Sequence, residues 1–164
     1  MPEHWSYFLT GLILLIACVD DLRTKKIHNK LILFMLAGTL PAVFLLKGWE
    51  GLTTGGLSAL FALLFAVPLT LARVIGGGDL KLFVLIAFTL NFRELFWIAI
   101  YSLPWALLLG LIKIALDKKL KDFFWNLLFL FRHQSAQGLQ FHSIPYSIAL
   151  FMAWLSFISL KNLI

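Results

Sequence analysis

The stretch Leu52–Ala72 runs for 21 residues without a charged side chain. As a helix rising about 1.5 Å per residue, it matches the roughly 30 Å hydrocarbon core of a bilayer. Four comparable apolar runs accompany it: Trp5–Val19, Leu31–Leu46, Leu95–Leu116 and Ile144–Leu160. A shorter one, Leu80–Leu90, reaches spanning length only by taking in neighbouring glycines and Asn91, over 77–91. Across its 164 residues the chain is 61% hydrophobic and 13% charged, whereas soluble domains are about half apolar and a quarter charged. The expected fold is an all-α polytopic membrane protein. It forms a single transmembrane domain over 1–164, with about six helices (5–19, 31–46, 52–72, 77–91, 95–116 and 144–160).

Charge between the runs gives an orientation. Arg23, Lys25, Lys26, Lys30, Arg73, Lys81, Lys113, Lys118, Lys119, Lys121 and Arg132 fall on one side, eleven in all; Lys47, Arg93 and Lys161, three in all, fall on the other. By the positive-inside rule the eleven are cytoplasmic and both termini are outside. The net charge of +6 is therefore read as a topology signal, with no nucleic-acid partner expected. Lys118–Arg132 has an apolar centre, Phe123-Phe124-Trp125 and Leu127–Phe131, that is too short to span. Basic residues flank it, so it is expected to lie as an interfacial helix on the cytoplasmic leaflet, in contact with lipid. Met1-Pro2-Glu3-His4 lacks the basic region of a signal peptide, so the first run is expected to be retained as a span. Cys18 is the sole cysteine, which excludes an internal disulfide and a CxxC zinc site. No internal repeat is evident, against a transporter built of related halves.

In this setting Gly76-Gly77-Gly78-Asp79-Leu80-Lys81 stands out. A carboxylate at a helix centre costs about 2.5–3.5 kcal/mol on insertion scales, and three glycines weaken a helix that runs through them. A chain that accepts both costs is expected to use the site. Asp21 ends the first span at the cytoplasmic edge. The chain then crosses out and back, so Asp79, 58 positions on, returns to the same depth. Two apposed carboxylates do not both ionise easily and share a proton. One takes a proton from water while the other donates one to a scissile carbonyl, which is aspartic-protease chemistry requiring neither metal nor cofactor. The glycines would let backbone approach an extended substrate.

Plainer readings exist for each residue. Asp21 is also what a solvated boundary acid looks like, and Asp20 beside it points another way around the helix. Asp79 near a helix start suits the helix dipole. Lys81 is either a snorkelling boundary residue or a charge partner that holds the site. His28 reads as a surface residue. His133 and His142 have no metal-ligand spacing.

At these acids the sequence resembles a type IV prepilin peptidase, a membrane aspartyl protease of the GxGD type. Gly76-Gly77-Gly78-Asp79 matches GxGD, and the lysine in Leu80-Lys81-Leu82 suits the family. Asp21-Leu22-Arg23-Thr24-Lys25-Lys26-Ile27-His28-Asn29 resembles the family's first motif, an Asp followed by a basic stretch and Ile-Pro-Asn. Ile144-Pro145-Tyr146 resembles the Ile/Val-Pro-Phe/Tyr that opens the last span. The resemblance implies catalytic Asp21 and Asp79. It implies Gly76, Gly77, Gly78 and Lys81 as substrate-binding or loop-shaping residues, and Ile27, Asn29 and Pro145 in support. It implies no metal or cofactor, and cleavage of the short basic leader of type IV pilins or pilin-like proteins at the cytoplasmic face of the bacterial inner membrane. Larger members add a cytoplasmic region with a cysteine zinc motif and N-methyltransferase activity. This chain begins at span 1 and resembles the short form of Flp/Tad-type systems, with no methylation expected. His28 stands where the family usually has proline.

Three other classes carry different expectations. A small transporter or ion relay through Asp79 and Lys81 predicts polar residues along several spans, which here are few. A metal-dependent lipid phosphotransferase wants several acids at helical spacing, and none follows Asp79 at i+3 or i+4. An inactive scaffold of a secretion system is compatible with a chain that keeps both acids but has no support in the sequence.

Overall fold

The computed structural model describes residues 2–71, 75–116 and 146–161. They form five helices: α1 (Pro2–Thr24), α2 (Asn29–Leu71), α3 (Gly77–Ala87), α4 (Phe92–Leu116) and α5 (Tyr146–Lys161). The expected interfacial segment at 118–132, together with Ile144 and Pro145, lies outside the described residues.

Unbroken, the 43 residues of α2 would measure about 65 Å, twice a bilayer core. The helix is interrupted at Gly48, with φ 64 and ψ −156, a left-handed conformation that glycine adopts without Cβ strain. The contacts of the two arms with α3 show that the chain folds back there. Asn29 Oδ1, at the start of the first arm, accepts a hydrogen bond from Lys81 Nζ at 2.7 Å. Near the end of the second arm, Phe65 and Ala66 line the same crevice as Asp79. Both outer ends of α2 thus meet the beginning of α3. Residues near the break meet its far end: Lys47 Nζ donates to the Thr89 carbonyl at 3.2 Å, and Gly55 lies against Phe88.

The buried face of the second arm of α2 is built from small side chains, against a core of larger ones such as Leu82, Leu85 and Ile86. Along the second arm Gly51, Gly55, Ser58, Ala59, Ala62 and Ala66 are buried, spaced three and four apart on one face. Small residues let helix backbones approach closely, the packing mode of helices in lipid. At Gly55 the approach is tightest, since a Cβ there would lie 2.8 Å from the Phe88 carbonyl oxygen. Large apolar side chains of α2 sit on its outer faces, with Leu45 82%, Phe34 79% and Leu71 79% exposed. An exterior this apolar is suited to lipid and not to water.

The remaining helices close around α3, with α4 packed on α5 and α5 on α1. The ring of Trp154 fills the space over Gly11, where a Cβ would lie 2.3 Å from the indole. Thr10 and Thr89 pair inside at 2.7 Å, each also bonded to a helix carbonyl. At the end of the bundle away from the Asp79 turn, Glu94 accepts a hydrogen bond from Tyr7 and pairs with Lys161 at 3.5 Å, tying α1, α4 and α5 together.

Three of the described helices are long and apolar enough to cross a membrane: α1 from His4, the folded α2, and α4. α5 is a shorter apolar helix. α3, at 11 residues, measures about 17 Å. The chain is thus a helical protein of membrane type, with a shorter fourth element than the 77–91 span expected from the sequence.

Candidate active site

The site forms where α1 ends and α3 begins. Asp21, in the last turn of α1, is only 6% exposed. Its Oδ2 accepts a hydrogen bond of 2.6 Å from the Ser147 hydroxyl on α5, itself fully buried. Asp20, one residue earlier, turns outward as helical geometry requires. Its carboxylate accepts the His28 backbone N–H at 3.1 Å and lies 3.1 Å from His28 Nδ1.

The connection to α2 is fixed by this clasp and by the end of α1. Lys25 takes φ 56, the left-handed turn that commonly closes a helix, and its N–H donates to the Asp21 carbonyl at 2.8 Å. Thr24 Oγ1 donates to the Lys26 carbonyl at 2.6 Å. The chain is thereby directed inward at Ile27, which is buried, before α2 begins at Asn29.

The glycine run plays a different part from the helix-breaking one its composition suggests. Gly76 is the N-cap of α3, and Gly77 and Gly78 belong to its first turn. Gly76 has φ −72 and ψ 152, open to any residue, so its restriction is one of space. A Cβ on Gly76 would lie 3.0 Å from Asp79 Oδ2, and one on Gly78 would lie 3.3 Å from Ile27 Cβ; at Gly77 nothing stands within 4 Å. The outer two glycines each make room for one neighbour, Asp79 for the first and Ile27 for the last. Asp79 occupies the third helical position, with its carboxylate turned back toward the cap, where an acid meets the free N–H groups and positive end of the helix.

Asp21 and Asp79 line one cleft of about 410 Å³. Its walls include Ile27, Gly76, Gly77 and Gly78, and Lys25, Lys26 and Lys113 border it. Behind Asp79, Tyr146 of α5 closes a small apolar crevice, and its hydroxyl lies 2.6 Å from Ser102 Oγ on α4. Lys81 is outside the cleft lining and bonds Asn29; among the described residues it pairs with neither acid. It pins the start of α2 to α3, an arrangement distinct from both snorkelling and a charge partner to the carboxylates.

Of the residues singled out in the sequence, the structure therefore gathers Asp21, Ile27, Gly76, Gly77, Gly78 and Asp79, with Asn29 and Lys81 bracing them. Pro145 lies outside the described residues. Sequence reasoning missed Ser147 and the three lysines at the cleft margin. The only sequence signal for Ser147 was its position directly after Ile144-Pro145-Tyr146, and serine is common in membrane helices as a small packing residue. Among the described residues no group of three or more His, Cys, Asp or Glu could hold a metal ion.

What the cleft offers is two carboxylates from separate helices, one held by a buried hydroxyl, facing a volume that admits a short extended segment. No curated protein and no solved structure matches the chain. A family model does, over residues 8–114, a region that contains both acids, the glycine run and the fold-back of α2. The chain belongs to the type IV leader peptidase family.

Proposed function

We propose that the chain is an aspartic endopeptidase that removes the basic leader of type IV prepilins or pilin-like proteins, with Asp21 and Asp79 as its catalytic pair. The observation that carries this reading is that two carboxylates 58 positions apart border one cleft. Chance placement of boundary acids gives no reason for them to converge.

The pair holds one proton between its two members. A water molecule between them loses a proton to the ionised carboxylate as its oxygen attacks the scissile carbonyl carbon, while the protonated partner gives its proton to the carbonyl oxygen. The tetrahedral intermediate collapses, the C–N bond breaks, and the amine leaves with a proton returned from the pair. Gly77, with open space above its Cα, allows the substrate backbone to lie close to the first turn of α3. Lys25, Lys26 and Lys113 at the margin do not attract a basic leader, so recognition rests on the extended backbone and on the apolar helix that follows the leader. Six spans with both termini outside, as the charge asymmetry suggests, would place the cleft at the cytoplasmic face of the inner membrane.

The test is co-expression with candidate prepilins and mass spectrometry of the products. Wild-type protein removes the leader; Asp21→Asn and Asp79→Asn each insert normally and leave the prepilin intact. Full leader removal by either variant would remove that residue from the pair. A chelator in the same assay leaves cleavage unchanged, separating this reaction from a metal-dependent one.

A further inference from the structure

We infer that Ser147 is a positioning residue for the Asp21 carboxylate, an inference that rests on the proposed catalytic pair. Its Oγ donates to Asp21 Oδ2 at 2.6 Å, with both groups buried. The bond ties that carboxylate to α5. Asp21 stands on the last turn of α1 and Ser147 on the first described turn of α5, 126 residues later, so the bond crosses between two helices and does not arise from local geometry.

Two features separate this hydroxyl from the other hydroxyls of the bundle. Thr10, Thr39, Thr70, Ser102, Ser156 and Ser159 donate to carbonyls three or four residues back on their own helices, the ordinary use of Ser and Thr in apolar helices. Ser147 instead donates to an ionisable side chain, and bonds to charged groups are shorter and stronger than neutral ones. Its neighbour Tyr146 lies in the crevice beside Asp79 and is anchored to Ser102, so consecutive residues of α5 reach both acids. With Oδ2 engaged by Ser147, Oδ1 is left as the oxygen of Asp21 for the water. A carboxylate free to rotate about its Cβ–Cγ bond would present that oxygen only part of the time, and misplacement of this kind is costly to rate.

The experiment compares wild type, Ser147→Ala and the near-isosteric Ser147→Cys, whose S–H is a weak donor, in two assays on the intact membrane protein. In prepilin cleavage, kcat falls about ten- to a hundredfold in both variants, as expected for loss of a bond to a charged group, while KM stays within about twofold. Ser147→Thr, which keeps the hydroxyl, recovers most of the rate. Without substrate, modification of Asp21 by a hydrophobic carbodiimide, read by peptide mass spectrometry, is faster in Ser147→Ala and Ser147→Cys than in wild type, because Oδ2 has lost its donor. An unchanged kcat in an active enzyme, or Asp21 modification at the wild-type rate in both variants, overturns the inference. If the wild type cleaves no prepilin, the functional reading fails, and the carbodiimide comparison still decides the role of Ser147.

Discussion

Alanine substitutions through the glycine run separate steric need from helix propensity, because three adjacent glycines meet three different surroundings. At Gly77 the added methyl meets nothing within 4 Å, and removing glycine from a compatible helical position gains about 0.4–1 kcal/mol. At Gly78 the methyl lies 3.3 Å from Ile27 Cβ, closer than the roughly 3.5–4.0 Å optimum for carbon. Overpacking of this kind costs about 1–3 kcal/mol, which exceeds the helix gain of up to about 1 kcal/mol. It moves Ile27 and the loop that follows Asp21. At Gly76 alanine is a poor N-cap, by about 0.5–1 kcal/mol, and its methyl lies 3.0 Å from Asp79 Oδ2, so the carboxylate must turn away. Thermal unfolding in detergent and prepilin cleavage therefore give different orders. For stability, Gly77→Ala equals or exceeds wild type, while Gly76→Ala and Gly78→Ala fall below it by about 2–4 °C per kcal/mol. For kcat, Gly76→Ala falls furthest because it displaces an acid directly, Gly78→Ala falls less, and Gly77→Ala is retained, any loss appearing in KM where substrate would lie against the added methyl. A Gly77→Ala protein that melts below wild type, or loses kcat as fully as Gly76→Ala, would refute the steric reasoning.

Two further substitutions test the frame around the site. Gly55→Ala places a methyl 2.8 Å from the Phe88 carbonyl oxygen, a backbone atom that cannot step aside; the α2–α3 contact is forced apart and stability in detergent falls by about 1–3 kcal/mol, whereas Gly56→Ala, with nothing within 4 Å, is neutral or better. His28→Pro removes the backbone N–H that Asp20 accepts as well as the ring contact, whereas His28→Ala removes the ring alone. The proline variant is expected to show faster amide exchange over residues 25–27 and slower cleavage than the alanine variant, and equal behaviour of the two would show that the backbone bond does not hold the loop.

That the two acids lie at one end of the bundle could be read from the chain, because the apolar runs between them lead away and back. Their lateral meeting could not, since it depends on which faces of α1 and α3 pack together. The neighbouring packing of α2 on α3 depends likewise on small residues such as Gly55, whose spacing fits several partners equally well. The fold-back of α2 was legible as the break between the runs 31–46 and 52–72, where Lys47 and Glu50 flank Gly48. Which residue takes the positive φ was not, since Gly51 stands in the same break. The GxGD pattern was legible as a motif while its reason was not. The sequence suggests glycines that loosen a helix, and the structure shows glycines at which a helix begins, with two of the three positions closed by Asp79 and Ile27.

Ile27 links these observations. It stands six residues after Asp21, and its side chain borders the space that a Cβ on Gly78, the residue before Asp79, would need. The separation of the two carboxylates is thus set by a short path through packed atoms: the closing turn of α1 at Lys25, the inward step at Ile27, and the first turn of α3. The Asp20–His28 clasp holds that path from outside, and the Lys81–Asn29 bond holds it from the α2 side. Neither clasp needs to be strong, since exposed bonds of this kind contribute about 1 kcal/mol or less. Their effect is on geometry. Two acids on separate helices in a lipid-packed bundle have no shared backbone to fix their spacing, so a proton-sharing pair requires a rigid contact between their supports. The packing of Ile27 against the Gly78 turn provides it on one side of the cleft; on the other, Ser147 ties Asp21 to α5, whose Tyr146 lies beside Asp79.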